Sequence, residues 1–249
     1  MKTEWDYTNL ADAYLKRPEY SAVAINAMLS IIEAKKNSKF CDIGAGVAHL
    51  TLELARREFE VLAVEPNDAM RANGIIRTEK FKNINWHEGT GENTGQPDKS
   101  FRVVTFGSSF NVCDRKKALI ETARILEPGG WFVCMWNHRQ LTDPIQGKIE
   151  EIIKSNVKGY GYGTRREDQS SIINESGHFG PVIHINSSVI HKQSVKECVE
   201  AWRSHATLKR QAKDSFTQVI YEIEKYLNNL GLENIKIPYL TNIWLAQLK

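Results

Sequence analysis

From Lys39 onward, short apolar runs alternate with amphipathic segments, and this alternation limits the chain to a few folds. The apolar runs predict β-strands at Phe40–Ile43, Val61–Glu65, Ile84–His87, Val103–Phe106 and Trp131–Trp136. Apolar residues at three- and four-residue spacing predict helices between them, at His49–Arg57, Asp68–Arg77 and Arg115–Leu126. Strands that alternate with helices favour a parallel sheet covered on both faces.

The flanking segments extend this pattern and add helices outside it. We predict helices in residues 1–36 and at Pro144–Asn156. After them we predict a strand at Val182–Ile190, helices at Ser194–Ser204 and Asp214–Asn229, and a last strand at Leu240–Leu248. We predict one α/β domain over residues 1–249, with a doubly wound seven-stranded sheet that is mostly parallel and has one antiparallel strand. Its core would comprise residues 37–138 and 182–249, and a helical cap residues 1–36 and 139–181.

Composition excludes several classes of protein. The chain has 33 Lys+Arg and 30 Asp+Glu, so its net charge of +3 supplies no general attraction to nucleic acid. No apolar run approaches the roughly 20 residues of a membrane span. The N-terminal stretch has no apolar core of a signal peptide, so we expect a cytoplasmic protein that binds neither nucleic acid nor membrane. The four cysteines and seven histidines lack the close spacing of metal ligands, so we expect no metal.

The turn after the first predicted strand carries the strongest functional signal. Gly44 and Gly46 lie where the strand ends and a helix begins, so the backbone can turn tightly and approach a ligand. Glu65 ends the next strand, 21 residues after Gly44, where an acidic side chain can hold the ribose hydroxyls of a nucleoside. The spacing therefore predicts a nucleoside site.

Details of this turn separate two classes of nucleoside. A dinucleotide site has a third glycine, and His49 stands at that position here. Asp42 would repel a pyrophosphate but suits a ligand that carries an ammonium and a sulfonium, as S-adenosylmethionine does. A plain tight turn, in which Asp42 only caps the helix, is the alternative without a ligand.

Several motifs occur together in the first half of the chain. They are Ala13-Tyr14-x-x-Arg17-Pro18-x-Tyr20, Asp42-x-Gly44-x-Gly46, Val64-Glu65-Pro66-x-x-x-Met70, Gly89-Thr90-Gly91-Glu92 followed by Pro97-Asp98, and Leu126-Glu127-Pro128-Gly129-Gly130. Over about residues 7–137 the chain thereby resembles the class I S-adenosylmethionine-dependent methyltransferases that act on small molecules. One departure is Gly46-Val47-Ala48, where relatives commonly carry Gly-Thr-Gly.

The resemblance implies a Rossmann-like fold, S-adenosylmethionine as cofactor and a set of contacts. The methionyl part would contact Asp42, Gly44, Ala45 and Gly46, and the ribose would contact Glu65. The adenine would lie near Pro66, Met70, Thr90, Gly91 and Glu92. Ser108 and Phe110 would face the methionyl part or the acceptor, and Tyr14 and Arg17 would form a lid. Arg17 would suit the carboxylate of the cofactor.

The acceptor site is expected at the carboxyl ends of the strands, where ligands of open α/β sheets bind. The candidate acceptor contacts are Asn111, Trp136, Tyr160, Tyr162 and Arg165. His138, which follows the fifth strand, is the candidate base, and a packing role for this histidine is equally open. In-line transfer of a methyl group needs no metal, and needs a base only if the acceptor must lose a proton. We expect N- or O-methylation of an aromatic or heterocyclic metabolite of secondary biosynthesis.

Three other functions remain open at this point. A protein or nucleic-acid methyltransferase is disfavoured by the sequence Ser108-Ser109-Phe110-Asn111, because enzymes that methylate amino groups of nucleic acids carry a proline-rich loop there. Asp42 and His49 disfavour a nicotinamide-dependent oxidoreductase. A non-catalytic protein that keeps the cofactor fold would be consistent with the departure at Val47-Ala48.

Overall fold

A seven-stranded sheet forms the centre of the computed structural model, which describes residue 8 and residues 11–249. The strands are β1 (Lys39–Ile43), β2 (Glu60–Val64), β3 (Ile84–His87), β4 (Phe101–Gly107), β5 (Leu126–Arg139), β6 (Ile183–Ser194) and β7 (Asn234–Gln247). They lie in the order β3-β2-β1-β4-β5-β7-β6. Neighbours among the first five strands pair in parallel, whereas β7 is antiparallel to both β5 and β6. The predicted fold class, with one antiparallel strand, is confirmed.

Helices connect and cover these strands. They are α1 (Ala11–Tyr14), α2 (Ala22–Ile31), α3 (His49–Ala55), α4 (Asp68–Thr78), α5 (Arg115–Ile125), α6 (Pro144–Asn156), α7 (Ser170–Glu175), α8 (Val195–Arg203), α9 (Ala206–Ala212) and α10 (Phe216–Asn229). Side chains that accept a backbone N–H start several of them: Asn67 caps α4, Asp114 caps α5, and Ser194 forms a capping box with Glu197 at α8. Residues 1–7, 9 and 10 of the expected cap lie outside the described residues.

Alternate residues of the central strands bury themselves on opposite faces of the sheet. In β5, Phe132 and Cys134 pack on one face with Leu119 of α5, while Val133 and Met135 pack on the other face with residues of α2 and α3. The period of two follows from the pleat of a strand. Apolar helices on both faces make the sheet doubly wound and leave the strand ends open as a place for ligands.

A separate helical layer lies beside the sheet. Its core joins Ile149 and Ile153 of α6 to Trp202 of α8 and Ile223 of α10, and Ile237 of β7 packs against it. The helices between β6 and β7, which the sequence analysis assigned to the core, therefore pack with the cap segment of residues 139–181. In contrast, α2, which it assigned to the cap, packs on the sheet and contacts β6 and β7. We propose that α6 and α8–α10 form the cap.

The largest differences from the predicted elements lie at the antiparallel end of the sheet. Strand β7 begins at Asn234 rather than Leu240, because Ile235 and Ile237 alternate with exposed residues ahead of Pro238. Helix α9 was not predicted, since Leu208 and Ala212 are its buried residues and supply little apolar periodicity. Among the residues described, every helix is too short or too polar to cross a membrane.

Gly44 gives a prediction of how much stability is lost when a side chain is added in the turn after β1. It has φ +65°, and a Cβ there would overlap the Cβ of Ser109. Gly44→Ala should therefore lower the free energy of unfolding by roughly 2–5 kcal/mol, from backbone strain plus overpacking. Gly231, with φ +64° and open space around it, is the matched control. Gly231→Ala should cost about 1–2 kcal/mol. Equal losses for both variants in urea unfolding would contradict a sterically closed turn.

Candidate active site

The carboxyl ends of β1, β2, β4 and β5 open into a cavity of about 800 Å³. Sixteen of the predicted site residues line it: Tyr14, Arg17, Asp42, Gly44, Ala45, Gly46, Glu65, Pro66, Met70, Thr90, Gly91, Glu92, Ser108, Asn111, Trp136 and Arg165. They come from segments far apart in the chain, which the parallel strands bring to one edge of the sheet. The cap side of the cavity is formed by residues that the sequence analysis did not name as site residues, including Arg139, Gln193 and His205.

Asp42 lies at the base of the cavity, near the end of the central strand β1, and is 1% exposed. Thr51 of α3 donates a hydrogen bond to one carboxylate oxygen at 2.6 Å, and Thr105 of β4 donates to the other at 2.9 Å. Burial raises the pKa of Asp42 from 3.8 to about 6, and the nearby Glu65 adds to this rise, whereas the two threonines oppose it. The structure thus holds the carboxylate rigidly at a cost in desolvation.

Glu65 joins the end of β2 to the glycine turn. Its carboxylate oxygens accept the backbone N–H groups of Gly46 and Asn67, each at 2.8 Å. Burial raises its pKa, and these two hydrogen bonds oppose that rise. Within residues 8 and 11–249, no lysine or arginine comes within ion-pair distance of Asp42 or Glu65. The charge of Arg71, which donates to the backbone carbonyl of Glu65, also opposes the rise of the Glu65 pKa, but it forms no ion pair with the carboxylate. In the described part of the chain the two buried carboxylates thus have no ion-pair partner, which favours a positively charged ligand.

The departure at Val47-Ala48 leaves the backbone of the turn intact. Ala48 has φ +71° and ψ +32°, the left-handed conformation that glycine adopts most easily. Val47 is buried against Ala11 and Met70. The chain thus keeps the shape of the turn without the second glycine, and the lost hydroxyl is replaced by an apolar contact.

Two consecutive serines shape the wall of the cavity after β4. Ser108 has φ +64°, and its hydroxyl lies 2.9 Å from the hydroxyl of Tyr20. Ser109 donates to the carbonyl of Ile43 at 2.5 Å, which ties the end of β4 to that of β1. Burial raises the pKa of Tyr20 to about 12. Tyr20 is the last residue of the motif Ala13-Tyr14-x-x-Arg17-Pro18-x-Tyr20, and it lines the cavity as Tyr14 and Arg17 do.

His138 does not reach the cavity. Its Nε2 lies 2.9 Å from the carbonyl of Arg165, so Nε2 must carry the proton, and Nδ1 lies 3.4 Å from the amide of Asn242. Burial and the charges of Arg166 and Arg165 lower its pKa to about 4. These contacts favour the packing role of His138 over the role of a base.

Three predicted aromatic contacts also lie away from the cavity lining. Phe110 is fully buried in the core, with its ring 5.3 Å from that of Phe106. Tyr160 packs in the helical layer, 5.5 Å from the ring of Tyr162. Tyr162 donates to the carboxylate of Glu150. Each ring finds an apolar or hydrogen-bonded partner inside the protein, which the loop sequence around it did not indicate.

Metal-ligand clusters are not part of this site as far as it is described. Among residues 8 and 11–249, no three His, Cys, Asp or Glu side chains are grouped to hold a metal ion. All four cysteines are free thiols. Cys113 lines the cavity, where burial raises its pKa to about 12, so it is a weak nucleophile at neutral pH.

Comparison with known proteins agrees with this geometry. The profile of the methyltransferase domain family matches residues 41–134. The uncharacterized methyltransferase YcgJ of Bacillus subtilis is 26% identical over 149 residues, and the match covers 58% of each chain. The demethylmenaquinone methyltransferase of Tropheryma whipplei is 28% identical over 171 residues, which are 64% of this chain and 70% of that protein.

Solved structures show the same fold. A candidate methyltransferase of an antibiotic biosynthesis pathway in Anabaena variabilis superposes with a TM-score of 0.65 at 19% identity. The superposition covers 92% of this chain and 98% of that one. Residues 41–134, which match the family profile, include most of the five strands β1–β5 and carry Asp42 and Glu65, whereas the fold is shared over almost the whole chain.

The raised pKa of Asp42 predicts how the free protein responds to pH. Because this pKa is about 6 in the folded state and 3.8 in the unfolded state, the folded state binds more protons between these values. The ionised group therefore lowers stability progressively as pH rises through that range, and the loss is complete above pH 6. Asp42→Asn should leave the free protein as stable or more stable at pH 7.5, with little change at pH 4, because Asn can still pair with both threonines.

Urea unfolding of the ligand-free protein at both pH values measures this effect, and the exposed Asp68→Asn serves as control because its side chain is 77% exposed. Destabilisation of Asp42→Asn at pH 7.5 by more than about 1 kcal/mol would contradict an uncompensated buried charge.

Proposed function

We propose that the chain is a class I S-adenosylmethionine-dependent methyltransferase, which transfers a methyl group from S-adenosylmethionine to a small aromatic or heterocyclic acceptor. The observation that carries the proposal is the pair of buried carboxylates, Asp42 and Glu65, that line one cavity without a cationic partner in the described part of the chain. S-adenosylmethionine, when bound, supplies an electrophilic methyl group on a positively charged sulfur.

The residues present fit this cofactor by their chemistry. Glu65 keeps free lone pairs beside its two backbone hydrogen bonds, so it can accept from two ribose hydroxyls. Asp42 supplies the negative charge that an ammonium group needs, and a pyrophosphate would be repelled there. Pro66 and Met70 offer apolar surface for an adenine ring. Arg17, whose guanidinium lies 3.6 Å above the ring of Tyr14, can bind a carboxylate.

Catalysis by this site would rest on positioning and on exclusion of water. Among the cavity-lining side chains, His49 has its pKa lowered to about 4 by burial, that of His205 is lowered well below its usual value, and that of Tyr20 is raised to about 12. None of the three suits a general base near neutral pH. Holding the acceptor in line can contribute roughly 7–11 kcal/mol. We infer an acceptor atom, nitrogen or oxygen, that is nucleophilic without help from a strong base.

The acceptor class is inferred from the lining. Trp136, Tyr239 and Tyr20 contribute rings, and Asn111 holds the indole N–H of Trp136 at 2.9 Å. The Tropheryma whipplei relative is named a demethylmenaquinone methyltransferase, so its named acceptor is a cyclic small molecule, a quinone. A role in secondary metabolism and a cytoplasmic location are part of the same proposal. All four cysteines are free thiols, as expected in a reducing compartment.

Glu65→Gln should weaken the binding of S-adenosylhomocysteine by roughly 1–3 kcal/mol, because an amide pairs less well with ribose hydroxyls and with two N–H donors. Glu60→Gln is the matched control, since Glu60 is exposed at the start of the same strand. Calorimetry with S-adenosylhomocysteine and with NAD measures both effects, and the wild-type protein should favour the former.

Equal affinity for NAD, or unchanged affinity in Glu65→Gln, would contradict the assignment of the cofactor. Transfer itself is tested by the formation of S-adenosylhomocysteine from S-adenosylmethionine with a panel of phenols and heterocyclic amines. Tight cofactor binding without transfer to any of them would favour the non-catalytic alternative.

A further inference from the structure

The charges that line the cavity are separated into two groups. The carboxylates, Asp42, Glu65, Glu92 and Asp114, all come from the segment 42–114 around the first four strand ends. The cationic side chains, Lys16, Arg17, Arg139 and Arg165, come from the N-terminal segment, the end of β5 and the turn Gly163–Arg166. The first group suits a cationic cofactor, and the second group needs a different explanation.

Arg139 is a cation without a counter-ion. It is the last residue of β5, and its guanidinium lies 4.2 Å above the ring of Trp202 and 5.6 Å from that of Tyr239. Its Nε is buried and has no hydrogen-bond partner. Among the residues described, no carboxylate lies within 4.0 Å of this guanidinium. The aromatic rings hold it in position but leave its N–H donors unused.

Arg165 is in the same situation. Its Nε is also buried without a partner, and within the described ranges its side chain makes no ion pair. Burial, together with the charges of Arg17, Arg139 and Arg166, lowers its pKa to about 10. Cations that repel each other at the wall of a cavity are stabilised by an anion bound between them.

Neutral donors lie beside the two arginines. His205 is stacked on Trp202 at 5.1 Å, and its Nδ1 accepts the N–H of Leu208 at 3.2 Å. The neutral ring therefore carries its proton on Nε2, which becomes a donor for a ligand. Gln193 also lines the cavity and makes no side-chain hydrogen bond within the described part. Together these residues provide two guanidinium groups and neutral hydrogen-bond donors for one anionic group.

We propose that Arg139 and Arg165, with His205, bind a carboxylate or phosphate group of the methyl acceptor. The inference rests on the proposed function and narrows its substrate class to anionic compounds. All three residues lie outside residues 41–134, the segment that matches the methyltransferase domain family. Arg17 remains available for the carboxylate of the cofactor.

Calorimetric titration of the whole chain, saturated with S-adenosylhomocysteine, tests the proposal with benzoate, inorganic phosphate and neutral benzamide. At least one anion should bind with one-to-one stoichiometry, and benzamide should bind at least about tenfold more weakly than benzoate if benzoate is the ligand. Arg165→Gln and Arg139→Gln should each weaken the anion by about tenfold or more. Affinity for S-adenosylhomocysteine should change by less than about twofold.

Arg56→Gln is the control, because its side chain is 50% exposed and pairs with Glu53 away from the cavity. Arg139 packs on Trp202, so Arg139→Gln could lose stability; thermal unfolding checks this, and Arg165→Gln carries the test if it does. The proposal is overturned if neither anion binds, or if Arg56→Gln loses as much affinity for the anion as Arg165→Gln does. It is also overturned if the variants lose affinity for S-adenosylhomocysteine to the same extent as for the anion. Should the wild type fail to bind S-adenosylhomocysteine, the proposed function fails, and titration of the free protein still decides the anion site.

Discussion

The buried carboxylate of Asp42 is the constraint on which the rest of the site depends. It lies near the end of the central strand, and hydrogen bonds from Thr51 and Thr105 tie it to the first helix and to the neighbouring strand. Burial raises the pKa of this carboxyl group, and its ionised form therefore lowers the stability of the free protein. A ligand that brings the opposite charge would offset this cost, and this is why we propose the end of β1 as the binding site of a cationic cofactor.

The remaining architecture separates this negative end from a positive one. Glu65 adds a second buried carboxylate from β2, whereas Arg139 and Arg165 reach the same cavity from β5 and the turn after α6. In our proposal the parallel part of the sheet provides the cofactor end of the cavity, and the antiparallel part with its helical layer provides the acceptor end. Methyl transfer requires the two ligands to meet between them, and a cavity with separated charges can orient both.

Sequence spacing was sufficient to predict that the proposed cofactor residues line one cavity, because the segments that carry them are neighbours in the sheet. Asp42 and Gly44 belong to one strand-turn-helix unit, and Glu65 follows at the end of the next strand, so the order of strands alone brings them together. The acceptor end depends on long-range packing. Arg139 and His205 both pack against Trp202 because α8 folds back over the end of β5, and no short motif encodes these contacts.

Predicted residues that failed to reach the cavity have a common cause. His138 lies in β5 between the cavity residues Asn137 and Arg139, and the alternation of a strand turns its side chain away from them. Phe110 starts a short 3-10 turn after β4, and its ring packs into the core against Phe106. The end of a strand predicts which segment of the chain lies beside a site. The direction of each side chain then determines which residues of that segment line the site. Such decisions depend on burial, which a single sequence expresses only weakly for residues that are half polar.

Proton release on cofactor binding is the most direct test of the central claim, that Asp42 awaits a cation. Calorimetry of S-adenosylmethionine binding at pH 6, in buffers with different ionisation heats, counts the protons released. Because the pKa of Asp42 is about 6, a bound cation should expel roughly half a proton. Asp42→Asn should release fewer protons than the wild type, and any release that remains would come from other groups such as Glu65, whose pKa is also raised by burial. Binding without proton release, or equal release in the variant, would contradict the account.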